Sequence, residues 1–480
     1  MTTLYSNGRL DGGATALAVD AGQVTWLGTD YPGQAADTVD LAGASVTPAF
    51  VDAHVHATSA GLLRTGLVLT GTESLSDLLD AVRDRADTGV LLWGHGWDET
   101  RWPENRPPTR AELDAVAGGA AVYLSRIDVH SALASSALVD LAPGARGAAG
   151  WSVDGPLAQD AHHHVRRAAL GSITPAQRED AQLAFLRHAA SMGIACVHEC
   201  AGPDISGADD LADLLARSGD LPQVIGYWGA LGEPVPGVLG QAGDLFVDGA
   251  FGSRTAALHA PYTDAPDTTG ARYLSARQIA DHVVACTEAG RQAGFHVIGD
   301  AAVTEVVAGF RLAEKVVGEE VLAAAGHRLE HLEMVTDEQV DELARLGVIA
   351  SVQPLFDAYW GGQDGMYAQR LGDRAAALNP FATLAARGVT LAFGSDAPVT
   401  AVDPWATVRA AVEHKTRGSA LTWEQAFAAH TEGGWRAART TGGRLAVGAP
   451  ATFAVWDGAP RTSPRCLRTV LNGTTIYGAR

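Results

Sequence analysis

The regular return of short apolar runs tipped by polar residues limits this chain more than any other feature. The runs are Ile194-Ala195-Cys196-Val197-His198-Glu199, Gln223-Val224-Ile225-Gly226-Tyr227-Trp228, Asp244-Leu245-Phe246-Val247-Asp248, Gly294-Phe295-His296-Val297-Ile298, Arg328-Leu329-Glu330-His331, Val348-Ile349-Ala350-Ser351-Val352-Gln353 and Val389-Thr390-Leu391-Ala392-Phe393. Text rich in Ala, Leu and Arg separates most of them, as in Ser275 to Ala293 and Thr336 to Leu346. An earlier run, Val51-Asp52-Ala53-His54-Val55-His56, brings the count to eight. Strands that alternate with helices build a parallel sheet. Eight of them close into a barrel that carries its chemistry at the strand ends. The competing architecture is an open doubly wound sheet, and its glycine fingerprint is missing after the first strand.

Both ends of the chain read differently. Residues 4–44 hold short alternating runs with Asn-Gly and Gly turns, such as Ala16-Leu17-Ala18-Val19-Asp20 and Gln23-Val24-Thr25-Trp26-Leu27-Gly28. Similar runs return at Phe453-Ala454-Val455-Trp456 and Thr469 to Tyr477. The two ends are therefore expected to share one small β-sandwich. The expected division is 1–49 and 442–480 for the sandwich and 50–441 for the barrel. An insertion at about 71–169, rich in Pro and Gly, is expected near the barrel mouth, with Ala132 to Leu141 read as helix.

Composition narrows the partners. At 480 residues the chain exceeds one simple core, and 47% hydrophobic residues suit a globular protein. A formal net charge of -20 argues against a nucleic-acid groove or an anionic membrane surface. No apolar run is long enough to span a bilayer. The first residues carry no basic stretch followed by an apolar core, so a cytoplasmic location is expected. The four cysteines, Cys196, Cys200, Cys286 and Cys466, do not form a disulfide framework and read as buried thiols. A small-molecule substrate is expected. A homodimer is the default only because dimers are common.

His54 and His56 lie two apart on a strand, so they share a face and can hold one ion. Other strand ends supply Glu199, His296, His331 and Asp396. Imidazoles with a carboxylate suit zinc or a similar divalent metal. Such an ion lowers the pKa of water towards neutrality, and Asp396 is placed to carry the proton. A lone histidine is more readily a hydrogen-bonded core residue. Four of them at three separate strand tips, with a final Asp, point to a shared site. Glu330 and Asp300 read as partners that orient the ligands.

The order His54-x-His56, His296-Val297-Ile298-Gly299-Asp300, Arg328-Leu329-Glu330-His331 and Gly394-Ser395-Asp396-Ala397-Pro398 is similar to the metal-dependent amidohydrolase superfamily. Within it, the chain resembles the YtcJ-like branch, which includes N-substituted formamide deformylases. Gly94-His95-Gly96-Trp97-Asp98, Asp248 to Ala256 and Ser351-Val352-Gln353-Pro354 support the match, which runs over nearly the whole chain. The resemblance implies an α/β fold with a distorted (β/α)8 TIM-type barrel and hydrolysis of an amide-type C–N bond in an N-acyl, N-formyl or carbamate-like substrate. It implies His54, His56, His296 and His331 as metal ligands, and Asp396 as both ligand and proton shuttle. A deaminase acting on a ring C=N bond and a non-catalytic barrel are the alternatives.

One position departs from the pattern. Many relatives carry a Lys before Asp-Gly that becomes carbamylated and bridges two metals, and Asp244 stands there in this chain. A single ion is therefore expected, or a carboxylate from Glu199 in place of the bridge. Asp244 as a direct ligand is an alternative, less favoured on the reach of its short side chain alone. Four further residues are candidates for substrate contact: Trp97, His130, Asp248 and Arg254. Arg254 could hold a carboxylate in a bidentate grip or simply tie down a loop. Trp97 could line a pocket with Trp93, Trp102, Tyr359 and Trp360 or sit in a core. The run His162-His163-His164, beside Arg166 and Arg167, reads as a solvated helix face.

Overall fold

The computed structural model describes residues 1–480 apart from Thr100, Arg101, Asp128, Val129, His130, Asp204 and Arg480. His130 thus lies outside the described residues. The chain divides into two compact units, residues 1–56 with 186–480, and residues 57–185.

The first unit holds an eight-stranded parallel sheet. Its strands are β1 (Phe50–Val55), β2 (Ile194–Ala201), β3 (Gln223–Trp228), β4 (Gly240–Gln241), β5 (Gln292–Val297), β6 (Arg328–His331), β7 (Ile349–Val352) and β8 (Thr390–Phe393). Each strand pairs with its neighbour in the sequence, as the right-handed crossover rule favours. β1 and the segment after β8 close the ring. Asp396 N donates to His54 O at 2.8 Å and His56 N donates to Ala397 O at 2.8 Å. Gly394 is needed at this seam, because a Cβ there would stand 2.5 Å from His54 N. The ring is a nearly closed, distorted barrel, as expected.

Local sequence explains the elements. Ser275 and Thr336 each form a capping box with a Gln three residues on, and so start the helices Ala276–Glu288 and Asp337–Arg345. Strands β1, β2 and β7 are buried along their whole length. Phe50, Phe295, Phe381 and Phe393 are fully buried. Burial of each contributes on the order of 2–3 kcal/mol. One expected strand is corrected. Residues 244–248 are not a regular strand: Gly243 takes φ 82°, the chain bends there, and only Phe246 bridges to His296. The paired strand at this place is the two-residue β4.

The chain ends meet in two smaller sheets. One is built of Gln23–Gly28, Ala16–Asp20, Thr3–Ser6 and Asp37–Asp40. The other is built of Thr474–Gly478, Cys466–Leu471, Phe453–Trp456 and Ser45–Pro48. Ser45–Pro48 pairs antiparallel with Phe453–Trp456. Tyr5, Leu17, Val19 and Val24 pack with Val46, Phe453, Val455 and Val470 in one core.

The second unit has its own sheet, in the order Leu157–Ala158, Ser131–Ala134, Val122–Arg126, Leu92–Trp97, Leu67–Val68. The insertion expected at about 71–169 falls inside this unit. Residues expected as helix from Ala132 instead begin as the strand Ser131–Ala134, and the helix is only Ser136–Asp140, capped by Ser135. Trp97 is 1% exposed and donates its indole N–H to Leu124 O at 2.9 Å. It packs with Leu69, Leu78 and Leu113 in a core, so it is a framework residue and not a pocket wall.

Candidate metal centre

The site forms where the C-terminal ends of β1, β5, β6 and β8 meet the bend after β4. On β1 the alternation puts Asp52, His54 and His56 on one face. Asp52 secures the seam by accepting a hydrogen bond from Ser395 N at 2.8 Å. His331 follows Glu330 directly, so a regular strand would send the two side chains to opposite faces. His331 instead has φ 70°, and both residues reach His54: Glu330 through a hydrogen bond, His331 with its ring centroid 5.1 Å away. Asp396 also has a left-handed backbone, φ 53°. Such conformations cost on the order of 1–3 kcal/mol each and cluster at functional sites.

The ligand atoms converge. Asp396 Oδ1 lies 3.0 Å from His56 Nε2 and 3.4 Å from His54 Nε2. Asp244 Oδ1 lies 3.5 Å from His54 Nε2, 3.5 Å from His296 Nδ1 and 3.8 Å from His331 Nε2, and its Oδ2 lies 3.2 Å from His56 Nε2. Two overlapping sets, His54 with His56 and Asp396, and His54 with Asp244 and His331, bring their ligand atoms within 4.8 Å of one another. In a third grouping, of His54, Cys200 and Glu330, the carboxylate is already taken by Arg328.

These residues fit a divalent ion. His54 Nε2, His296 Nδ1 and Asp244 Oδ1 are buried without a hydrogen-bond partner, although they surround one point. Each such atom costs about 1–3 kcal/mol unless it is satisfied. Two ligand atoms about 2.1 Å from a tetrahedral ion stand about 3.4 Å apart, close to the separations found. The far sides of two rings are held. His54 Nδ1–H donates to Glu330 Oε2 at 2.9 Å and His331 Nδ1–H donates to Gln353 Oε1 at 2.7 Å. Both hydrogen bonds leave Nε2 facing the site, the arrangement that metal-binding histidines use.

The electrostatics agree. Burial pushes the Asp244 carboxyl up, but the surrounding imidazoles outweigh it and hold the group well below the usual carboxylate range. The same balance lowers Asp396. Burial works against a charged His331, yet Asp244 and Asp396 raise it to about 9. A cation entering the site would therefore replace protons that the carboxylates favour on the His56 and His331 rings.

Two sequence expectations for carboxylates are corrected. Glu199 is fully buried, but among the described residues no ligand grouping includes it. Strand parity explains this, because His198 faces Arg328 inside the barrel and the next residue along β2 turns the other way. Asp244, the less favoured ligand on reach alone, sits at the centre of the cluster. The bend at Gly243 carries its backbone inward, so a long side chain is unnecessary. Asp248 and Arg254 are engaged elsewhere. Asp248 is fully buried and accepts from the backbone N–H of Ala257, Ile298 and Gly299 at 2.8–2.9 Å. Arg254 forks onto Asp264 at 3.1 and 2.8 Å and ties down its loop. Asp300 accepts from His259 N and Ala301 N, and so ties the start of its helix to the loop at His259. Gln353 was not singled out from the sequence. Its place two residues beyond Ser351, on the inward face of β7, was the available signal.

Comparison with known proteins agrees with this geometry. A model of the amidohydrolase family matches residues 37–477. The amidohydrolase-type protein YtcJ of Bacillus subtilis is 26% identical, with 93% of this chain and 92% of that protein covered. The N-substituted formamide deformylase of Arthrobacter pascens is 23% identical, with 85% and 81% covered. The crystal structure of an uncharacterized metal-dependent hydrolase from Pyrococcus furiosus superposes with a TM-score of 0.79 at 25% identity, covering 96% of this chain and all of that one. With the family pattern spanning nearly the whole chain and a buried His/Asp cluster at the barrel rim, the protein belongs to the amidohydrolase family, a family of hydrolases.

Proposed function

We propose that this protein hydrolyses an amide-type C–N bond in a small N-acyl, N-formyl or carbamate-like molecule, and that it sits in the YtcJ-like branch with the formamide deformylases. The observation that carries the reading is Asp396, a buried carboxylate at 3.0 Å from His56 and 3.4 Å from His54 within the same cluster. Likeness to a deformylase over 85% of the chain supports the substrate class.

His54, His56, His296, His331 and Asp396 would hold one divalent ion, with Asp244 as a further carboxylate. The nitrogen and oxygen donors suit zinc. When bound, the ion supplies Lewis acidity at the substrate carbonyl oxygen and lowers the pKa of water. The residues do the rest. Asp396, held ionised by its imidazole neighbours, accepts a proton from the attacking water as the C–O bond forms. It then returns that proton to the nitrogen as the C–N bond breaks, so an N-acyl or N-formyl substrate yields a carboxylic acid and an amine. Glu330 and Gln353 keep the His54 and His331 rings in the orientation this requires.

The test is metal analysis of the purified protein, with a panel of N-formyl, N-acyl and carbamate substrates. Amine release that disappears in Asp396→Asn, while metal is still bound, supports the reading. Full turnover in that variant defeats it. Ammonia release from ring amidines would move the assignment to a deaminase. A protein inert to the whole panel after zinc addition would be a non-catalytic barrel.

A further inference from the structure

Behind the cluster, on the inner face of β6, lies Arg328, a fully buried guanidinium that the reaction described above does not use. It sits two residues before Glu330, so both side chains point into the barrel. Nε donates to Glu330 Oε1 at 2.5 Å and Nη2 donates to Glu330 Oε2 at 2.9 Å. Nη2 also donates to Ala53 O at 2.7 Å and to Ser351 Oγ at 3.0 Å. Nη1 lies 3.2 Å from His198 Nδ1, and the guanidinium carbon stands 4.3 Å from the centre of the Tyr227 ring. A guanidinium has five N–H donors and no acceptor, and besides Ser351 and His198 they reach two groups that locate His54. One is Glu330, which holds its ring. The other is the carbonyl of Ala53, the residue next to it on β1.

We propose that Arg328 is a positioning residue for the metal centre, which sets the His54 imidazole through the buried chain Arg328–Glu330–His54. This inference rests on the reading of His54 as a metal ligand. Its physical basis is charge pairing. The fork of N–H donors fixes both oxygens of the carboxylate in place. As an acceptor it takes the Nδ1–H of His54 and leaves Nε2 for the ion. Remove the guanidinium alone and the isolated carboxylate becomes the costly group. Remove both charges, and an amide at position 330 can still accept from Nδ1–H with neither side chain left as an unpaired charge.

The experiment is a double-mutant cycle on zinc affinity, read by competition with a chelator, with Arg328→Met, Glu330→Gln and the two combined. The thermal unfolding midpoint of each metal-free protein is measured alongside. Each single change is expected to weaken zinc binding by about 10–100-fold. The double variant should bind zinc more tightly than either single one, which independent roles would not produce. Arg328→Met with wild-type zinc affinity overturns the proposal, and so do losses that simply multiply in the double variant. If Arg328→Met does not fold, the comparison is between Glu330→Gln and the double variant. A double variant that also fails to fold shows Arg328 supporting the barrel and not His54, and overturns the proposal. Zinc that does not bind the wild-type protein removes the reading of the site itself. Zinc that binds wild-type and Arg328→Met equally removes only the role of Arg328.

Discussion

Two regions of this molecule are rich in histidine, and they behave differently. At the barrel rim, His54 and His56, His296 and His331 come from three separate stretches of chain, yet all four face Asp244, and His54 and His56 also face Asp396. In the second unit, His162, His163 and His164 are consecutive on the helix Gln159–Gly171, and among the described residues none of them joins a ligand grouping. Consecutive helical residues point about 100° apart, so three in a row cannot share a point. His162 is buried with Nε2 2.8 Å from the Tyr123 hydroxyl, a correction to the solvated face expected for it, while His163 is exposed. Convergence therefore comes from parallel strands ending at one rim, and proximity in sequence is no guide to it.

Five measurements would break or sharpen this contrast. The largest effect is expected at Asp396: Asp396→Asn should lower kcat by about 10²–10⁴-fold while metal content persists. Replacing His162, His163 and His164 together should leave metal stoichiometry and kcat unchanged. Any loss of metal from that variant would erase the distinction between the two regions.

Next is pH. His327 and His430 are barrel histidines of a third kind, with protein partners and no carboxylate. His430 Nδ1–H donates to Val51 O at 2.9 Å, and His327 Nδ1 accepts from Ala293 N at 2.9 Å. Burial holds both neutral, down to about 4. The unfolded chain takes up their protons near pH 6.5 and the folded one does so only near 4, so their contribution is complete above 6.5 and lost as pH falls between these values. The full loss is about 3 kcal/mol for each. Denaturation midpoints of wild-type and His430→Gln should converge over this window. Parallel curves would show that His430 titrates normally.

Smaller again is Gln353→Ala, which frees the His331 ring and should weaken zinc by about 10–100-fold with little change in the metal-free unfolding midpoint. An unchanged affinity would show that His331 needs no support. Last, His162→Phe should cost about 1 kcal/mol in denaturant unfolding, through the lost hydrogen bond to Tyr123, with zinc affinity untouched.

Much of the barrel and its site could be read from residue patterns. The pleat puts His54 and His56 on one face whatever surrounds them, and strands tipped with His296, His331 and Asp396 must end at the same rim once the ring closes. Polar residues in the remaining loops were less readable, because pattern alone does not say which partner takes them. Asp248 goes to three backbone amides, Arg254 to Asp264 and Trp97 to a core.

Periodicity, a local property of the chain, was enough to specify seven of the eight barrel strands, the short strands of the two chain ends and the His-x-His face. Only the tertiary structure decided which carboxylates meet the histidines. Asp244 enters because Gly243 turns the backbone at φ 82°, Glu199 leaves because of its parity on β2, and His331 swings round through a left-handed φ of 70°. Those are matters of where a backbone bends under the packing around it, and packing brings together residues that the sequence keeps far apart.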